Sequence, residues 1–387
     1  MKRILLTRAN VVLADEVVEN LSVLIDDEQI IALDPLQSED AHVIDLHGRL
    51  LMPGMIDLHC DALEKEVEPR PNVHFPLDFA CAQADKRNAA AGITTVFHAL
   101  SFANHELGVR NNTIAAEIAR AIHAWQSHAL IDNRVHARYE VTDESAPAIL
   151  RELIQTNDIH LLSFMDHSPG QGQFRDVEAY RSYLARTYQT DDQTLDEILI
   201  KKMDAAKGAM ARMKSLAEVA NTRGVAIASH DDDSPEKVST IKSLGAVISE
   251  FPVNLETAKA AREQGMATLF GAPNILRGMS QSGNMRALDA VVSRVADCLC
   301  GDYSPAALLP SIMKLPEIAG ITLPQSIALV TKNPASAAAL NDRGEIGVGK
   351  RADLVAVKQL GGLPQVDQVW SGGERVMSLH YDHLVGR

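Results

Sequence analysis

The run Met55-Ile56-Asp57-Leu58-His59-Cys60-Asp61 sets an imidazole and a carboxylate two positions apart at the end of an apolar segment of strand length. Alternate side chains of a strand face the same way. His59 and Asp61 therefore converge, a ring nitrogen beside a carboxylate oxygen, which is half of a divalent-metal site. Four other strand-like segments end in residues of the same kinds: Arg138-Tyr139-Glu140-Val141, Met165-Asp166-His167, Ser229-His230-Asp231-Asp232-Asp233 and Gly301-Asp302-Tyr303. Each has an ordinary alternative, a hydrogen-bonded histidine or an aspartate capping the next helix, and Asp231–Asp233 before Ser234-Pro235 is open to that reading. Aimed at one point, they suit metal-assisted hydrolysis. His59, Asp61, His167 and His230 would ligate one or two divalent ions, and Glu140 would bridge two of them. Asp302 would meet the attacking water as general base and pass its proton to the leaving group. Zinc is the first candidate for such a set, manganese and iron the alternatives.

A set like this needs a scaffold that brings distant strand ends together. From Met52 onward, strand-like segments alternate with helix-compatible runs. The segments are Met55–Asp61, Ile93–Leu100, Val135–Val141, His160–His167, Val225–Asp231, Ala246–Phe251, Ala267–Pro273 and Cys298–Tyr303. Between them lie runs such as Ala80–Ala91, Asn112–Ala129, Ala146–Gln155, Leu195–Asn221, Ser234–Leu244, Leu255–Gln264 and Met285–Val295. Eight β/α units over about 250 residues predict an α/β fold of the (β/α)8 TIM-barrel type, whose active site lies at the C-terminal ends of the strands. An open doubly wound sheet is the alternative, but no Gly-rich dinucleotide fingerprint follows the first segment.

Before Met52 the chain reads as short strands (Ile4–Thr7, Val11–Leu13, Ser22–Ile25, Ile30–Leu33, His42–Asp45) with a tight turn at Asp26-Asp27-Glu28. After helical stretches at Pro324–Lys332 and Pro334–Leu340, β character returns at 349–357, Val366–Ser371 and Arg375–Leu379. The simplest arrangement pairs the two ends in a small β-sandwich: residues 1–51 and 341–387 form it, and 52–340 form the barrel.

The bulk numbers narrow the partners. With 387 residues the chain can bury a large core, and 46% hydrophobic with 23% charged residues is ordinary globular composition. A net charge of −14 argues against a general nucleic-acid or anionic-membrane binder. It leaves room for an anionic small substrate, because a bound metal and a few local cations invert the potential of one cleft. Cys60, Cys81, Cys298 and Cys300 form no CxxC pair and read as small core residues of a reducing compartment. Arg8, Asn10, Asp15 and Glu16 interrupt any signal-peptide core, and no apolar stretch reaches membrane-spanning length, so a cytoplasmic protein is expected.

Longer motifs carry a resemblance. Pro53-Gly54-Met55-Ile56-Asp57-Leu58-His59, together with Gly349-Lys350-Arg351-Ala352-Asp353-Leu354-Val355, resembles the amidohydrolase superfamily, including its sandwich-plus-barrel layout. Phe164–Phe174, Ala228-Ser229-His230-Asp231-Asp232, Glu250-Phe251-Pro252, Gly271–Gly278 and Ser282-Gly283-Asn284 look like the PhnM family of phosphonate metabolism. Members of that family act in the carbon–phosphorus lyase pathway. They hydrolyse α-D-ribose 1-methylphosphonate 5-triphosphate to the 5-phosphate and pyrophosphate. The resemblance implies the same metal set, with Glu140 standing where many relatives have a carboxylated lysine. Cys60 and Ala62 depart from the pattern, which has Thr and Asn there. A triphosphate ester needs cations and amide donors around its oxygens. Lys65, Arg70, Arg277, Ser282 and Asn284 are the candidates. A deaminase or cyclic amidase on the same metal site is the runner-up, and a non-catalytic scaffold that keeps the barrel is a third reading. No nucleic-acid or membrane partner is expected, and the oligomeric state stays open.

Overall fold

A computed structural model describes residues 3–35, 40–103, 111–166, 197, 200, 203–280 and 284–381. Eight parallel strands form one sheet in sequence order: β6 (Met55–Cys60), β7 (Ile93–Phe102), β8 (Asp132–Glu140), β9 (Leu161–Met165), β10 (Ala226–His230), β11 (Ile248–Glu250), β12 (Ala267–Gly271) and β13 (Cys298–Cys300). The first and last strands meet at a parallel bridge between Cys60 and Asp302, which closes the sheet into a barrel. Each of the eight segments read from the sequence overlaps one of these strands, although β7 runs on to Phe102 and β8 begins earlier, at Asp132.

Period-two alternation sorts the barrel residues. On β8, Val135, Ala137 and Tyr139 join the apolar layer beneath the helices, packing near Ile118, Leu150 and Leu216. Their neighbours His136, Arg138 and Glu140 take the opposite face, toward the barrel axis. A separate apolar cluster with Ile56, Leu161, Ala228, Ile248, Leu269 and Cys298 fills the lower interior. The covering helices begin where side chains can satisfy open backbone donors: Asn111 caps Asn112–Trp125, Ser234 caps Pro235–Ser243 and Asn254 caps Leu255–Glu263.

The chain ends build a second sheet. It comprises β1 (Ile4–Val12), β2 (Val17–Asp26), β3 (Gln29–Leu33), β4 (His42–Asp45), β5 (Leu50–Pro53), β14 (Leu354–Leu360), β15 (Leu363–Ser371) and β16 (Glu374–Ser378). The N- and C-terminal parts join where β5 pairs antiparallel with β14. Here too the alternation is legible. Val11, Leu51, Leu354, Ala356 and Trp370 share a core within this small domain, while Val12, Met52, Val355, Val357 and Val369 face the barrel helices. The two short strands expected at Ile4–Thr7 and Val11–Leu13 are one strand. Arg8 adopts a left-handed φ of 52° and a register shift sits between Leu6 and Ala9, so a bulge accommodates the polar residue without ending the strand.

One buried cation ties the domains. Arg343, 8% exposed, donates from Nη1 to Thr95 Oγ1 on β7 (3.0 Å) and to Asp132 Oδ2 on β8 (2.8 Å). The same nitrogen lies 3.8 Å from Asp353 Oδ2, next to β14. Removing one member of a buried charge set is costly, although Arg134 and Arg351 remain beside Asp132 and Asp353. Arg343→Ala should therefore lose about 3 kcal/mol of stability, read as a lower urea midpoint. A loss below about 0.5 kcal/mol, the usual range for surface changes, would show that this strap is not structural.

Candidate metal centre

Where the barrel closes, β6 and β13 present three acids and a histidine on interlocked backbones. Asp302 N donates to His59 O (2.8 Å), and Asp61 N donates to Asp302 O (2.9 Å). The buried Asp57 carboxylate clamps the same seam, its Oδ1 accepting from His59 N (3.1 Å) and Gly301 N (3.0 Å). Gly301 has to be glycine, because a Cβ there would lie 2.4 Å from Asp57 Oδ2 and 2.7 Å from Pro305 Cα. Three strands end on non-glycine residues in the left-handed region: Asp231 after β10, Phe251 after β11 and Asp302 just beyond β13, with φ of 52°, 52° and 53°. Such backbone is uncommon outside glycine and gathers at functional sites.

His59 is the hub. Its Nδ1 lies 3.1 Å from Glu250 Oε1, and its Nε2 lies 3.3 Å from Asp61 Oδ1. A carboxylate accepts, so Nδ1 carries a proton toward Glu250. Phe251 packs edge-on against the His59 ring at 5.0 Å and at a tilt against the His230 ring at 5.1 Å. The other Glu250 oxygen accepts from Ser163 Oγ (2.6 Å). His136 donates from Nδ1 to Leu58 O (3.0 Å) and turns Nε2 toward Glu250 Oε2 at 3.5 Å. That Nε2 is buried and has no hydrogen-bond partner among the described residues.

Burial and charge set the protonation of this group. Burial works against an imidazolium at His59, but Glu250 and Asp61 outweigh it and lift the ring to about 10. Burial also opposes ionisation of Glu250, yet His136 and His59 hold it well below the usual carboxylate range. Burial drives His136 down to about 3. Asp302 is pushed up by burial and by Asp61, and burial raises Asp57 to about 7 against its two backbone donors.

Two groups of atoms lie close enough to share an ion. His59, Asp61 and Asp302 each offer one ligand atom, mutually within 4.8 Å, and so do His59, His136 and Glu250. The donor set fits a divalent cation. A neutral His136 aims a lone pair at an ionised carboxylate, and Glu250 orients His59 in the manner of the carboxylate–histidine pairs that support metal ligands.

Of the residues singled out from sequence, His59, Asp61 and Asp302 come together directly. The His230 ring lies 5.6 Å from that of His59, its Nδ1 3.2 Å from Asp231 Oδ2. Glu140 shares a ladder level with His230 and Glu250 through Met165, and its Oε1 accepts from Thr142 Oγ1 (2.8 Å). Arg277 is exposed and donates to Tyr303 Oη (3.1 Å), beside Asp302. Lys65, on the helix Ala62–Val67 after β6, and Arg70, in the turn beyond it, are both exposed. Asn284 is partly buried near Met285, whose N donates to Val253 O. His167 and Ser282 lie outside the described residues. Asp231–Asp233 is not simply a cap. Ser234 caps the next helix, while the buried Asp232 accepts from Ser249 Oγ (2.6 Å) and from Ser229 Oγ.

Sequence reasoning gave no role to His136, Ser163 and Glu250. The period-two pattern of β8 carried the signal for His136, which faces the axis with Glu140. Glu250 ends a strand of three residues, too short for a pattern.

Comparison with known proteins gives the following. Residues 179–377 match the amidohydrolase family. The chain is 37% identical over 377 residues to the alpha-D-ribose 1-methylphosphonate 5-triphosphate diphosphatase of Escherichia coli (strain K12), covering 96% of this chain and 100% of that one. Among solved structures it is similar to N-isopropylammelide isopropylaminohydrolase from Burkholderia multivorans ATCC 17616, with a TM-score of 0.67 and 16% identity over 97% of this chain and 98% of that one. It is also similar to N-acetylglucosamine-6-phosphate deacetylase from Pasteurella multocida, with a TM-score of 0.64 and 13% identity over 96% and 99%. At those identities the solved structures bear on the fold alone.

The charge state of His59 gives a pH dependence. Without metal the ring holds an extra proton up to about pH 10, and an ion bound at Nε2 must displace it. Loading between pH 6 and 8 should therefore release a proton, and apparent affinity should rise about tenfold per pH unit. Titration calorimetry in buffers of different ionisation heat measures both. Affinity independent of pH would exclude His59 as a ligand.

Proposed function

The chain belongs to the amidohydrolase family, and from that premise we propose that it hydrolyses alpha-D-ribose 1-methylphosphonate 5-triphosphate to the 5-phosphate and pyrophosphate, within phosphonate catabolism by the carbon–phosphorus lyase route. The observation that carries this reading is the 37% identity to the diphosphatase, spread over 96% of this chain and the whole of that enzyme. The barrel mouth supports it with a dense set of oxygen and nitrogen donors around His59.

In this reading His59, Asp61, Glu140, His167, His230 and Asp302 hold one or two divalent ions, zinc before manganese or iron. When bound, the metal lowers the pKa of water and polarises the bond under attack. Asp302 takes a proton from the attacking water. Its carboxyl is raised by burial and by Asp61, which brings its basicity closer to the operating pH. As the water oxygen joins phosphorus, the bond to the pyrophosphate oxygen breaks, and the proton on Asp302 passes to the leaving group. Glu250 keeps Nδ1 of His59 protonated and the ring in place. Lys65, Arg70, Arg277, Ser282 and Asn284 receive the oxygens of the triphosphate, and Arg277 is the member with a described tie to the site, through Tyr303. The barrel, residues 52–340, carries all of these groups. Residues 1–51 and 341–387 brace it. No helix among the described residues is long and apolar enough to cross a membrane. The reading implies a cytoplasmic location, because a triphosphate is too highly charged to cross a bilayer unaided.

Phosphorus NMR with the ribose triphosphate phosphonate tests the reading. Pyrophosphate should appear, stop on addition of a chelator, and fall about 10²–10⁴-fold in Asp302→Asn, the range for loss of a general base. Metal-loaded wild-type protein that releases no pyrophosphate would overturn it. Arg277→Ala should raise KM about tenfold by removing one charge-assisted contact, read from initial rates, with kcat changed less.

A further inference from the structure

Two arginines are buried among the described residues, Arg343 and Arg138. Arg343 is accounted for by its strap between the domains. Arg138 sits at the other end, on the inward face of β8 between His136 and Glu140, 6% exposed. Its Cα partners on the flanking strands are Ser101 and Ser163. Nη2 donates to Ser101 Oγ (2.9 Å) and lies 3.3 Å from Asp61 Oδ1. Nε is buried and has no hydrogen-bond partner among the described residues.

Those contacts use less than the guanidinium offers. It carries five N–H donors in a rigid plane, and an unmet buried donor is destabilising until an acceptor reaches it. Neutralising Asp61 alone asks only for a point charge, which a lysine supplies. A planar fork suits two oxygens of one phosphoryl group. The surroundings make the same demand, because Asp61, Glu140 and Asp302 crowd the mouth with negative charge that a polyanionic substrate must overcome. Lys65, Arg70 and Arg277 are exposed, so they meet the substrate from outside, whereas Arg138 stands beside the carboxylate that His59 contacts.

We infer that Arg138 binds a phosphoryl oxyanion of the substrate, using the guanidinium donors left over from Asp61 and Ser101, and so selects for phosphorylated over neutral substrates. The inference rests on the phosphate reading of the site given above.

Inorganic pyrophosphate is the probe, titrated by calorimetry into metal-loaded wild type, Arg138→Met and Arg138→Lys, with metal content measured in each. The methionine variant should keep its metal and bind pyrophosphate about tenfold or more weakly, the loss expected for one hydrogen bond to a charged group. The lysine variant, which keeps the charge but not the fork, should bind several-fold more weakly, with KM for the triphosphate raised in step. Pyrophosphate affinity within twofold of wild type in both metal-loaded variants would overturn the inference and leave Arg138 as a partner of Asp61 only. Should the methionine variant fail to fold, the lysine variant decides by the same threshold. Wild-type protein that does not bind pyrophosphate would also overturn it. Binding is read without turnover, so the two proposals fail separately. Arginine-dependent pyrophosphate binding without release from the triphosphate would remove the diphosphatase reading alone. Turnover unaffected in Arg138→Lys, with unchanged pyrophosphate binding, would remove the inference alone.

Discussion

Three hydrogen bonds at the seam between β6 and β13 hold both the closure of the barrel and the geometry of its mouth. Asp302 N to His59 O, Asp61 N to Asp302 O, and Gly301 N to the Asp57 carboxylate lock the two strands at one level. A parallel sheet closes only if its first and last strands find a common register, and here the residues that find it, His59, Asp61 and Asp302, are also ones that bring ligand atoms within reach of one ion. The left-handed backbone at Asp302 and the obligatory glycine at 301 follow from that constraint. Chain closure, normally a matter of stability, here also fixes the positions of the candidate ligand atoms.

Electrostatics extends the constraint inward. Glu250 lies fully buried, 191 residues along the chain from the histidine it orients. A buried carboxylate is tolerated only when paired and hydrogen-bonded. His59 and Ser163 meet that condition, with His136 nearby. The same crowding raises His59 and Asp302 without metal, so an ion bound at the mouth would have to displace the proton on His59.

Much of this was legible in the sequence, for identifiable reasons. Barrel strands buried on both faces read as continuous apolar runs, so all eight could be placed, and His59-x-Asp61 announced itself because period two puts both side chains on one face. The joining of the chain ends followed from β patterning on either side of the α/β stretch. Other features depend on contacts that no local pattern encodes. The bulge at Arg8 hides one strand as two. Glu250 belongs to a three-residue strand and gains its meaning from a partner across the barrel. Arg138 reads locally as one more charge, and only its burial beside Asp61 sets it apart.

The most direct measurement is anomalous X-ray diffraction from crystals of the metal-loaded protein, collected at the absorption edge of the bound metal. A divalent ion with His59 Nε2 and the carboxylates of Asp61 and Asp302 about 2.0–2.2 Å away, and Nδ1 of His59 still on Glu250, is the expected result. An ion bound elsewhere in the barrel, with His59 outside its coordination sphere, would contradict it.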